Sequence, residues 1–394
     1  MPRFRFEGTI PGSKSELIRA HLVETFVPEL TVQASALAED VVAARAAKEA
    51  FLRGEDRLDA NSSGLLFRLL LARASRLQRP ILITGKPRLL ERPHTPLLEA
   101  LTELGVGWET RTGGITVEGP WRAPPLPVPI DVARSSQYLS ALLLASFGLP
   151  FALELRFLGT AVSGGYRDLT LEFMRQLGVE VERREAGLRV PAGQVPAPKA
   201  LAIEPDLSTA FAVAALAAVA GEAVLHGIPE HSRQPDALGL RLLAEMGVRV
   251  EREGTTVRVQ RAEKLQPITV DLSGAPDLFP VLSMLAALAD GTSRLYGAPH
   301  LALKESNRLV KAAELIQRIG RGAQPIPGGL LIQGRPPGAH EVSGFSFDPD
   351  QDHRQVMAAY VARAAGIDVR IEDVEAVHKS APELLDWIRD GLSA

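Results

Sequence analysis

The sequence predicts an α/β (α+β) fold of repeated strand–helix units, with the helices packed together inside and the sheets facing solvent. The first observation behind this prediction is a recurring helix end, where Leu-Gly-Val or a variant closes a helix and opens a strand-like run. The second is the regular spacing of its glycines, at intervals of 73, 69 and 73 residues: Gly105, Gly178, Gly247 and Gly320. Two more helices are expected to end at Gly54 and Gly391, which makes six units.

The first unit opens with a strand predicted over residues 3–10, and a turn at Gly12 leads into a helix. Lys14 and Ser15 stand at the helix start, and Arg19 lies one turn later on the same face. Backbone amides, hydroxyls and two cations at a helix N-terminus favour a phosphate or carboxylate ligand. An ordinary helix cap is the alternative. A nucleotide-binding P-loop is excluded, because a serine separates Gly12 from Lys14.

Polar helix starts recur in the second and third units. The run Asn61-Ser62-Ser63-Gly64 opens one helix, and the basic loop over 85–93 precedes the next. In that loop Arg92 suits two-pronged binding of a carboxylate or phosphate. Hydroxyl and amide side chains stand at the starts of two further helices: Ser135, Ser136, Gln137, Ser163 and Tyr166. Simple helix capping is again the alternative.

The second half of the chain has charged residues at its helix starts. Asp277 opens an apolar helix, while Lys304 and Arg308 stand at i and i+4 on one predicted helix face, with Glu305 beside them. An exposed face of ion pairs is the alternative for that run. Further charged or imidazole side chains precede the last two helices: His353, Arg354 and Lys379.

The composition excludes several functions. The chain has 394 residues and a net charge of −3, which gives no overall attraction to nucleic acid or acidic membranes. The apolar stretches over 210–221 and 281–289 are read as buried helices, shorter than the roughly 20 residues of a membrane helix. No apolar run opens the chain, so no signal peptide is expected. The absence of cysteine excludes disulfides and a thiol nucleophile, and fits a cytoplasmic location.

No metal site is expected. The spacing Asp348-x-Asp350-x-Asp352 resembles the start of a calcium loop, but His353 replaces the required glycine and Ala359 the closing glutamate. The eight histidines show no HExxH spacing, so zinc is not expected either.

The order of these motifs resembles the 5-enolpyruvylshikimate-3-phosphate synthase family, the 3-phosphoshikimate 1-carboxyvinyltransferases among the enolpyruvyltransferases. The resemblance runs from Thr9 to about Trp387. It depends on the order of five short pieces: PGSKS at 11–15, GKPRLLERP at 85–93, SSQ at 135–137, KESNRL at 304–309 and DHR at 352–354. It implies transfer of the carboxyvinyl group of phosphoenolpyruvate to the 5-hydroxyl of shikimate 3-phosphate, with release of phosphate and no cofactor.

The resemblance also implies an architecture. The family's fold is a two-domain inside-out α/β barrel with three repeat units in each domain. One domain would be residues 13–204, and the other would join residues 1–12 to 205–394, with hinge crossovers near 12–13 and 204–205. The expected protein is a cytoplasmic monomer that closes around its two small-molecule substrates and has no nucleic-acid or membrane partner.

The site residues follow from the motifs that carry the resemblance. Asp277 would accept the proton of the 5-hydroxyl, Glu305 would deliver a proton to C3, and His353 would orient substrate or the neighbouring arginine. Lys14 would act in catalysis and in binding both substrates. Phosphoenolpyruvate would be bound by Lys14, Gly64, Arg92, Gln137, Arg308, Arg354 and Lys379. Shikimate 3-phosphate would be bound by Lys14, Ser15, Arg19, Ser135, Ser136, Gln137, Ser163, Tyr166, Asp277, His300 and Lys304.

Several positions depart from the family's pattern, among them Gly164-Gly165, which replaces a Lys-Pro pair, and Ala381, which replaces a phenylalanine. Ser62 and Leu65 lie in the run where the family has Gly-Asn-Ala/Ser-Gly-Thr, while His300 and Ala302 replace an asparagine and an arginine. These departures affect the acceptor site more than the chemistry of phosphoenolpyruvate. A relative of shikimate is therefore an alternative acceptor. Gly64 is the small residue expected where phosphoenolpyruvate and glyphosate compete in this family, which suggests glyphosate sensitivity.

Two further alternatives differ more widely in function. One is the sister enolpyruvyltransferase that acts on UDP-N-acetylglucosamine, which usually carries a reactive cysteine that this chain lacks. The other is a non-catalytic paralogue that binds anions. Retention of both Asp277 and Glu305 argues against it, because a binder needs no acid and base.

Overall fold

The computed structural model describes residues 4–159, 162–197, 200–338 and 344–392. Contacts between Cα atoms divide the chain into two units. We call Gly12–Ile203 the continuous unit, and Met1–Pro11 together with Glu204–Ala394 the split unit. Each crossover lies one residue before the expected hinge. Both units mix helices with sheets, so the coarse prediction of an α/β fold is confirmed.

The helices of the described residues are, in chain order, α1 (Lys14–Val23), α2 (Glu39–Leu52), α3 (Gly64–Ala74), α4 (Pro87–Leu90), α5 (Thr95–Glu103), α6 (Ser136–Ala145), α7 (Gly164–Gln176), α8 (Leu207–Ala220), α9 (Leu238–Glu245), α10 (Phe279–Leu288), α11 (Arg308–Arg318), α12 (His353–Ala364) and α13 (Leu384–Leu392). Short 3₁₀ turns lie at Pro235–Ala237, Pro276–Leu278, Pro299–Leu303 and Val374–Lys379.

The strands of the same residues are β1 (Phe4–Thr9), β2 (Thr31–Val32), β3 (Arg57–Asp59), β4 (Ile81–Thr84), β5 (Gly107–Arg111), β6 (Gly114–Glu118), β7 (Val128–Asp131), β8 (Leu153–Leu158), β9 (Glu182–Arg184), β10 (Gly187–Val190), β11 (Ala200–Leu201), β12 (Gly221–His226), β13 (Arg249–Glu253), β14 (Thr256–Gln260), β15 (Thr269–Asp271), β16 (Gly291–Tyr296), β17 (Gly322–Ile326), β18 (Gly329–Gly334), β19 (Phe345–Phe347) and β20 (Val369–Ile371). Arg3, at the expected start of β1, lies outside the described residues.

Each unit contains, in its described residues, two four-stranded sheets and one two-stranded sheet. The continuous unit has the strand orders β3-β4-β6-β5, β7-β8-β10-β9 and β11-β2, and the split unit has β1-β12-β14-β13, β15-β16-β18-β17 and β19-β20. In all four larger sheets the first pair is parallel and the other two pairs are antiparallel. None of these sheets closes on itself within the described chain.

Apolar helices form the core of each unit. Every residue of α3 and α10 is buried, and the Ala-rich α8 is buried along nearly its whole length. The prediction of buried helices at 210–221 and 281–289 is therefore confirmed in essence, although α8 ends at Ala220 and Gly221 opens β12. Strands such as β1 and β8 alternate buried with exposed residues, which is typical of a sheet with one solvated face.

Glycines end the helices as predicted, with one exception. Gly54, Gly105, Gly178, Gly247 and Gly320 all have φ between +73° and +83°, the left-handed conformation that closes a helix. Gly391 is the exception, because α13 continues through it to Leu392. In the described part of the chain, no helix is long and apolar enough to cross a membrane.

Candidate active site

One buried arginine links the N-terminal halves of three helices in the continuous unit. Arg19, in the second turn of α1, donates through Nε to Oγ1 of Thr170 in α7 at 3.1 Å. Its Nη2 donates to Oγ of Ser140 in α6 at 3.4 Å, and its Nη1 donates to the carbonyl oxygen of Ser15 at 2.7 Å. Burial among these neutral oxygens lowers the pKa of Arg19 to about 10. Arg19 is 1% exposed, so it acts on this region as a buried positive charge.

The polar residues at the starts of α6 and α7 connect to the same network through their backbone. The carbonyl oxygen of Ser136 accepts from Oγ of Ser140 at 3.1 Å, and that of Tyr166 accepts from Oγ1 of Thr170 at 3.0 Å. Ser163 precedes α7 in the left-handed conformation, with φ of +53°, and its side chain is buried. These contacts fix where each helix begins.

The helix starts differ in whether a side chain caps them. Ser13 precedes α1 without a capping hydrogen bond from its side chain, whereas Oγ of Ser135 accepts from the backbone N–H of Gln137 at 3.2 Å and caps α6. Nζ of Lys14 lies 3.1 Å from Oδ2 of Asp40 in α2. Capping by a serine therefore accounts for the start of α6 but not for that of α1.

Arg68 in α3 contacts the start of α6 and was assigned no role by the sequence motifs. Its Nη1 donates to Oε1 of Gln137, and its Nη2 donates to the carbonyl oxygen of Pro93 at 3.1 Å. The hydroxyl of Tyr138 donates to the same Pro93 carbonyl at 2.7 Å. The guanidinium lies 5.0 Å from the centre of the Tyr138 ring, within the range of a cation–π contact.

Gly64, the first residue of α3, lies against Arg92. A Cβ at this position would contact Nη1 of Arg92 and lie 3.0 Å from its Cζ, so only glycine leaves room for the guanidinium there. The next residue, Leu65, is 7% exposed and packs in the core of the continuous unit. The leucine that departs from the family's pattern is thus a core side chain.

In the split unit, Asp277 lies among three cations. Its Oδ1 accepts from Nη1 of Arg308 at 2.8 Å and lies 3.6 Å from Nζ of Lys304. Its Oδ2 lies 3.4 Å from Nη2 of Arg354. Burial alone would raise the pKa of Asp277, but Lys304, Arg308 and Arg354 together hold it well below its usual value. The carboxyl group is therefore ionised at neutral pH.

Arg308 is shared by three carboxylates. Its Nε donates to Oδ2 of Asp352 at 2.8 Å, and its Nη2 donates to Oε2 of Glu305 at 3.0 Å, while Nη1 holds Asp277. Burial alone would lower the pKa of Arg308, but the carboxylates of Asp352, Glu305 and Asp277 raise it well above its usual value. Arg308 is 1% exposed, which excludes an exposed face of ion pairs for this residue.

The prediction that Lys304 and Arg308 share one helix face is wrong. The turn Pro299–Leu303 ends at Lys304, whose backbone is extended, and α11 begins only at Arg308. Asn307 caps α11 through its side chain, which ends any helix before it. Both cations still contact the same oxygen of Asp277, at 3.6 Å for Lys304 and 2.8 Å for Arg308.

The start of α12 is organised by Asp352, which is fully buried. Its Oδ1 accepts from the backbone N–H of Arg354 at 2.9 Å, and its Oδ2 accepts from Oγ of Ser306 at 3.0 Å. The buried His353 places Nδ1 3.8 Å from Oδ1 of Asp352. Nη2 of Arg354 donates to Oγ of Ser208 at 2.8 Å.

Lys379 and His300 lie beside this network. Nζ of Lys379 is 3.9 Å from Oε1 of Glu305. His300 is buried, and burial together with the nearby charge of Lys304 lowers the pKa of His300 to about 3. Its imidazole is therefore neutral at physiological pH.

The structure groups the expected site residues by unit. The continuous unit holds Lys14, Ser15, Arg19, Gly64, Arg92, Ser135, Ser136, Gln137, Ser163 and Tyr166, and the split unit holds Asp277, His300, Lys304, Glu305, Arg308, His353, Arg354 and Lys379. In the described part of the chain, no group of three or more histidine, aspartate or glutamate side chains is placed to hold a metal ion.

The buried partners that lacked an assignment from the sequence include Arg68, Asp352 and Ser208. Arg68 and Asp352 have a visible signal, since Arg68 is a charged residue one turn after Gly64 and Asp352 is the first residue of the DHR piece. Ser208 has none, because it follows Asp206 in what reads as an ordinary helix start, and Asp206 does cap α8 through the N–H of Thr209.

Comparisons with known proteins identify the family of the chain. The family model described as EPSP synthase (3-phosphoshikimate 1-carboxyvinyltransferase) matches residues 21–388. A 3-phosphoshikimate 1-carboxyvinyltransferase from Methanocorpusculum labreanum is 33% identical over 376 residues, covering 89% of this chain and 87% of that protein. One from Aeropyrum pernix is 37% identical over 340 residues, covering 85% and 77%. The structure of an EPSP synthase from Acinetobacter baumannii has the same fold, with a TM-score of 0.75, 21% identity and coverage of 99% and 96%.

Proposed function

Because the chain belongs to the EPSP synthase family, we propose that it transfers the carboxyvinyl group of phosphoenolpyruvate to the 5-hydroxyl of shikimate 3-phosphate. Phosphate is the second product. The chain is a transferase of the shikimate pathway, as are the relatives named 3-phosphoshikimate 1-carboxyvinyltransferase.

One observation carries the proposal at the level of chemistry. Asp277 and Glu305 are both held by the guanidinium of Arg308, at 2.8 Å and 3.0 Å. The reaction needs one group that takes a proton from the acceptor hydroxyl and one that gives a proton to C3 of phosphoenolpyruvate. Two carboxyl groups from different segments, joined by a single buried cation, supply that pair.

The reaction proceeds by addition and elimination. Asp277 accepts the proton of the 5-hydroxyl as the oxygen of that hydroxyl bonds to C2 of phosphoenolpyruvate. Glu305 delivers a proton to C3, which becomes a methyl group. The C2–O bond to phosphate then breaks as the methyl group returns a proton to the carboxylate left on Glu305. The double bond re-forms, and phosphate leaves with the electron pair of the broken bond.

Substrate binding makes Asp277 a better base. Arg308 and Arg354 hold the pKa of Asp277 low, and both are assigned to phosphoenolpyruvate. When the carboxylate and phosphate of that substrate pair with these arginines, less of their charge acts on Asp277, and its affinity for a proton rises.

The remaining assignments rest on the motifs shared with the family. Phosphoenolpyruvate is bound by Lys14, Gly64, Arg92, Gln137, Arg308, Arg354 and Lys379, and shikimate 3-phosphate by Lys14, Ser15, Arg19, Ser135, Ser136, Gln137, Ser163, Tyr166, Asp277, His300 and Lys304. The close approach of Arg92 to Gly64 supports a compact phosphoenolpyruvate site, and the glyphosate hypothesis depends on the same approach. His353 keeps its role in orienting its neighbours, since it lies buried between Asp352 and Arg354.

The proposal extends to architecture and location. Six strand–helix units form two domains of the inside-out barrel type, which the recurring strand order of the four larger sheets supports. All residues assigned to both substrates lie in one chain, which supports a monomer. The absence of cysteine supports a cytoplasmic location.

The test is phosphate release from phosphoenolpyruvate with shikimate 3-phosphate, measured for the native chain, Asp277→Ala and Glu305→Gln. We expect turnover that needs both substrates and that falls roughly 10²- to 10⁴-fold in each variant. The matched control is Glu314→Gln, which removes a carboxylate from α11 that pairs with Lys311. It should turn over like the native chain.

The acceptor is tested in the same assay. The native chain could bind phosphoenolpyruvate but release no phosphate with shikimate 3-phosphate. A different acceptor would then replace shikimate 3-phosphate in the proposal. His300 and Ala302 are then the first positions to examine, since they depart from the family's pattern. Equal turnover in Asp277→Ala and the native chain would contradict the acid and base assignment.

A further inference from the structure

Arg68 determines which way the side-chain amide of Gln137 faces. Its Nη1 donates to one terminal atom of that amide. A guanidinium has five N–H donors and no acceptor, so the amide atom that it contacts must be the oxygen. This settles the assignment of the two amide atoms, which the positions of heavy atoms leave open. The amide nitrogen of Gln137, with its two donors, then faces away from Arg68.

Several other contacts hold the guanidinium of Arg68 in place beside Gln137. Arg68 is 2% exposed and its guanidinium lies 5.0 Å from the centre of the Tyr138 ring. Its Nη2 and the hydroxyl of Tyr138 both donate to the carbonyl oxygen of Pro93, at 3.1 Å and 2.7 Å. Pro93 directly follows Arg92. The same arginine therefore holds the amide of Gln137 and the segment that carries Arg92.

The direction of the amide matters for an anion. Gln137 is only partly buried, and a carboxylate or phosphate oxygen needs a donor. With the oxygen held by Arg68, the side chain presents N–H groups to a ligand at the start of α6. In the opposite orientation it would present an oxygen, which repels an anion.

We infer that Arg68 is a positioning residue for phosphoenolpyruvate: it holds the amide of Gln137 with its donors toward the substrate and holds the segment of Arg92 beside it. This inference rests on the proposed function, because it takes phosphoenolpyruvate as the ligand of Gln137 and Arg92. It adds a residue that acts through others and does not touch the substrate.

The test is a double-mutant cycle on kcat/KM for phosphoenolpyruvate with Arg68→Met, Gln137→Met and the double variant. We expect Arg68→Met to lose roughly 100-fold, mainly through a higher KM, because a small misplacement of binding groups has that effect. Since Arg68 acts largely through Gln137, the double variant should lose much less than the product of the two single losses. Losses that multiply, or a native kcat/KM in Arg68→Met, would overturn the inference.

A matched control lies in the same helix. Arg73 is also buried in α3, but its guanidinium donates to Thr25 and lies 3.9 Å from the centre of the Phe26 ring and 4.2 Å from that of Phe51. Arg73→Met should lower the melting temperature and leave KM for phosphoenolpyruvate unchanged. A rise in KM equal to that of Arg68→Met would show a general effect of losing a buried arginine and overturn the inference.

Two conservative variants keep the inference testable if Arg68→Met fails to fold. Arg68→Lys retains one donor for the Gln137 oxygen and should recover part of the lost kcat/KM. Gln137→Glu keeps the acceptor for Arg68 and removes the amide donors, so it should melt no lower than the native chain yet bind phosphoenolpyruvate poorly. Native affinity in Gln137→Glu would overturn the inference. Absence of native turnover would instead defeat the proposed function, and the inference with it.

Discussion

Arg308 in the split unit is held in the opposite way to Arg19 and Arg68 in the continuous unit. In the split unit, Arg308 donates to the carboxylates of Asp277, Glu305 and Asp352. In the continuous unit, Arg19 and Arg68 donate to hydroxyl, amide and carbonyl oxygens. Arg308 is thus hydrogen-bonded to carboxylates, and Arg19 and Arg68 donate to neutral oxygens, with the charge of the buried Glu16 also acting on Arg19.

The different surroundings of Arg308 and Arg19 shift their pKa values in opposite directions. Carboxylates raise the pKa of Arg308 well above its usual value despite burial, whereas burial lowers the pKa of Arg19 to about 10. Carboxylates of the split unit therefore balance the positive charge of Arg308 within that unit. The positive charge of Arg19 is less compensated, which suits a region that receives an anion. Lys14, paired with Asp40, is an exception in the continuous unit.

The largest expected effect comes from removing a compensating charge in the split unit. Asp352→Asn takes away a fully buried carboxylate that holds Arg308, Ser306 and the start of α12. Breaking a buried ion pair by removing one partner typically costs about 3–5 kcal/mol. We expect a loss of that size in the free energy of unfolding, measured by urea denaturation.

The control is an exposed carboxylate from the same segment. Asp348→Asn should change the free energy of unfolding by no more than about 0.5 kcal/mol, because Asp348 is exposed. If Asp352→Asn were as mild as Asp348→Asn, the ionic network of the split unit would not be what stabilises it. The contrast with the continuous unit would then be lost.

An intermediate effect concerns acid stability and Asp277. Its folded-state pKa lies well below the unfolded value, so its carboxylate stabilises the fold above the unfolded pKa of about 4. That contribution is lost as pH falls through the folded pKa. Asp277→Asn removes this titration. We therefore expect the unfolding free energy of the native chain to fall more steeply below pH 4 than that of the variant, by up to about 1.4 kcal/mol per pH unit.

The measurement is urea denaturation between pH 2 and pH 5 for both chains. A matched variant is Asp40→Asn, which removes a carboxylate paired with Lys14 in the continuous unit. Parallel curves for the native chain and Asp277→Asn would show that the three cations do not hold Asp277 as the geometry implies. A change of slope in Asp277→Asn that Asp40→Asn does not reproduce would place the effect in the split unit.

Much of the fold could be predicted because its signals are local. A helix that ends in glycine needs only a few residues to be recognised, and five of the six predicted ends have the left-handed conformation. Strand pairing is not local. β1 pairs with β12 in register from Phe4 opposite Gly221, with the whole continuous unit between them in the sequence. No pattern within either strand identifies that partner.

The site shows the same limit. Polar helix starts are visible in the sequence, but the contacts that orient them join distant residues: Arg68 meets Gln137 across 69 positions, and Arg308 meets Asp352 across 44. The spacing of Asp348, Asp350 and Asp352 resembled a calcium loop for a related reason. In the structure, Oδ1 of Asp348 accepts from the N–H of Asp350 at 2.8 Å, while Asp352 turns to Arg308. Spacing alone cannot tell a shared ligand from separate partners.

The smallest expected effect is a difference in unfolding free energy between variants of two serines, each at a helix start of the continuous unit. Oγ of Ser135 caps α6, whereas Ser13 precedes α1 without a side-chain cap. Ser135→Ala should therefore cost about 1 kcal/mol of unfolding free energy, and Ser13→Ala should cost less than about 0.5 kcal/mol. Thermal melts of the two variants beside the native chain measure this. Equal losses would mean that capping does not distinguish these helix starts. The N-terminal backbone amides of α1 would then be no more available to an anion than those of α6.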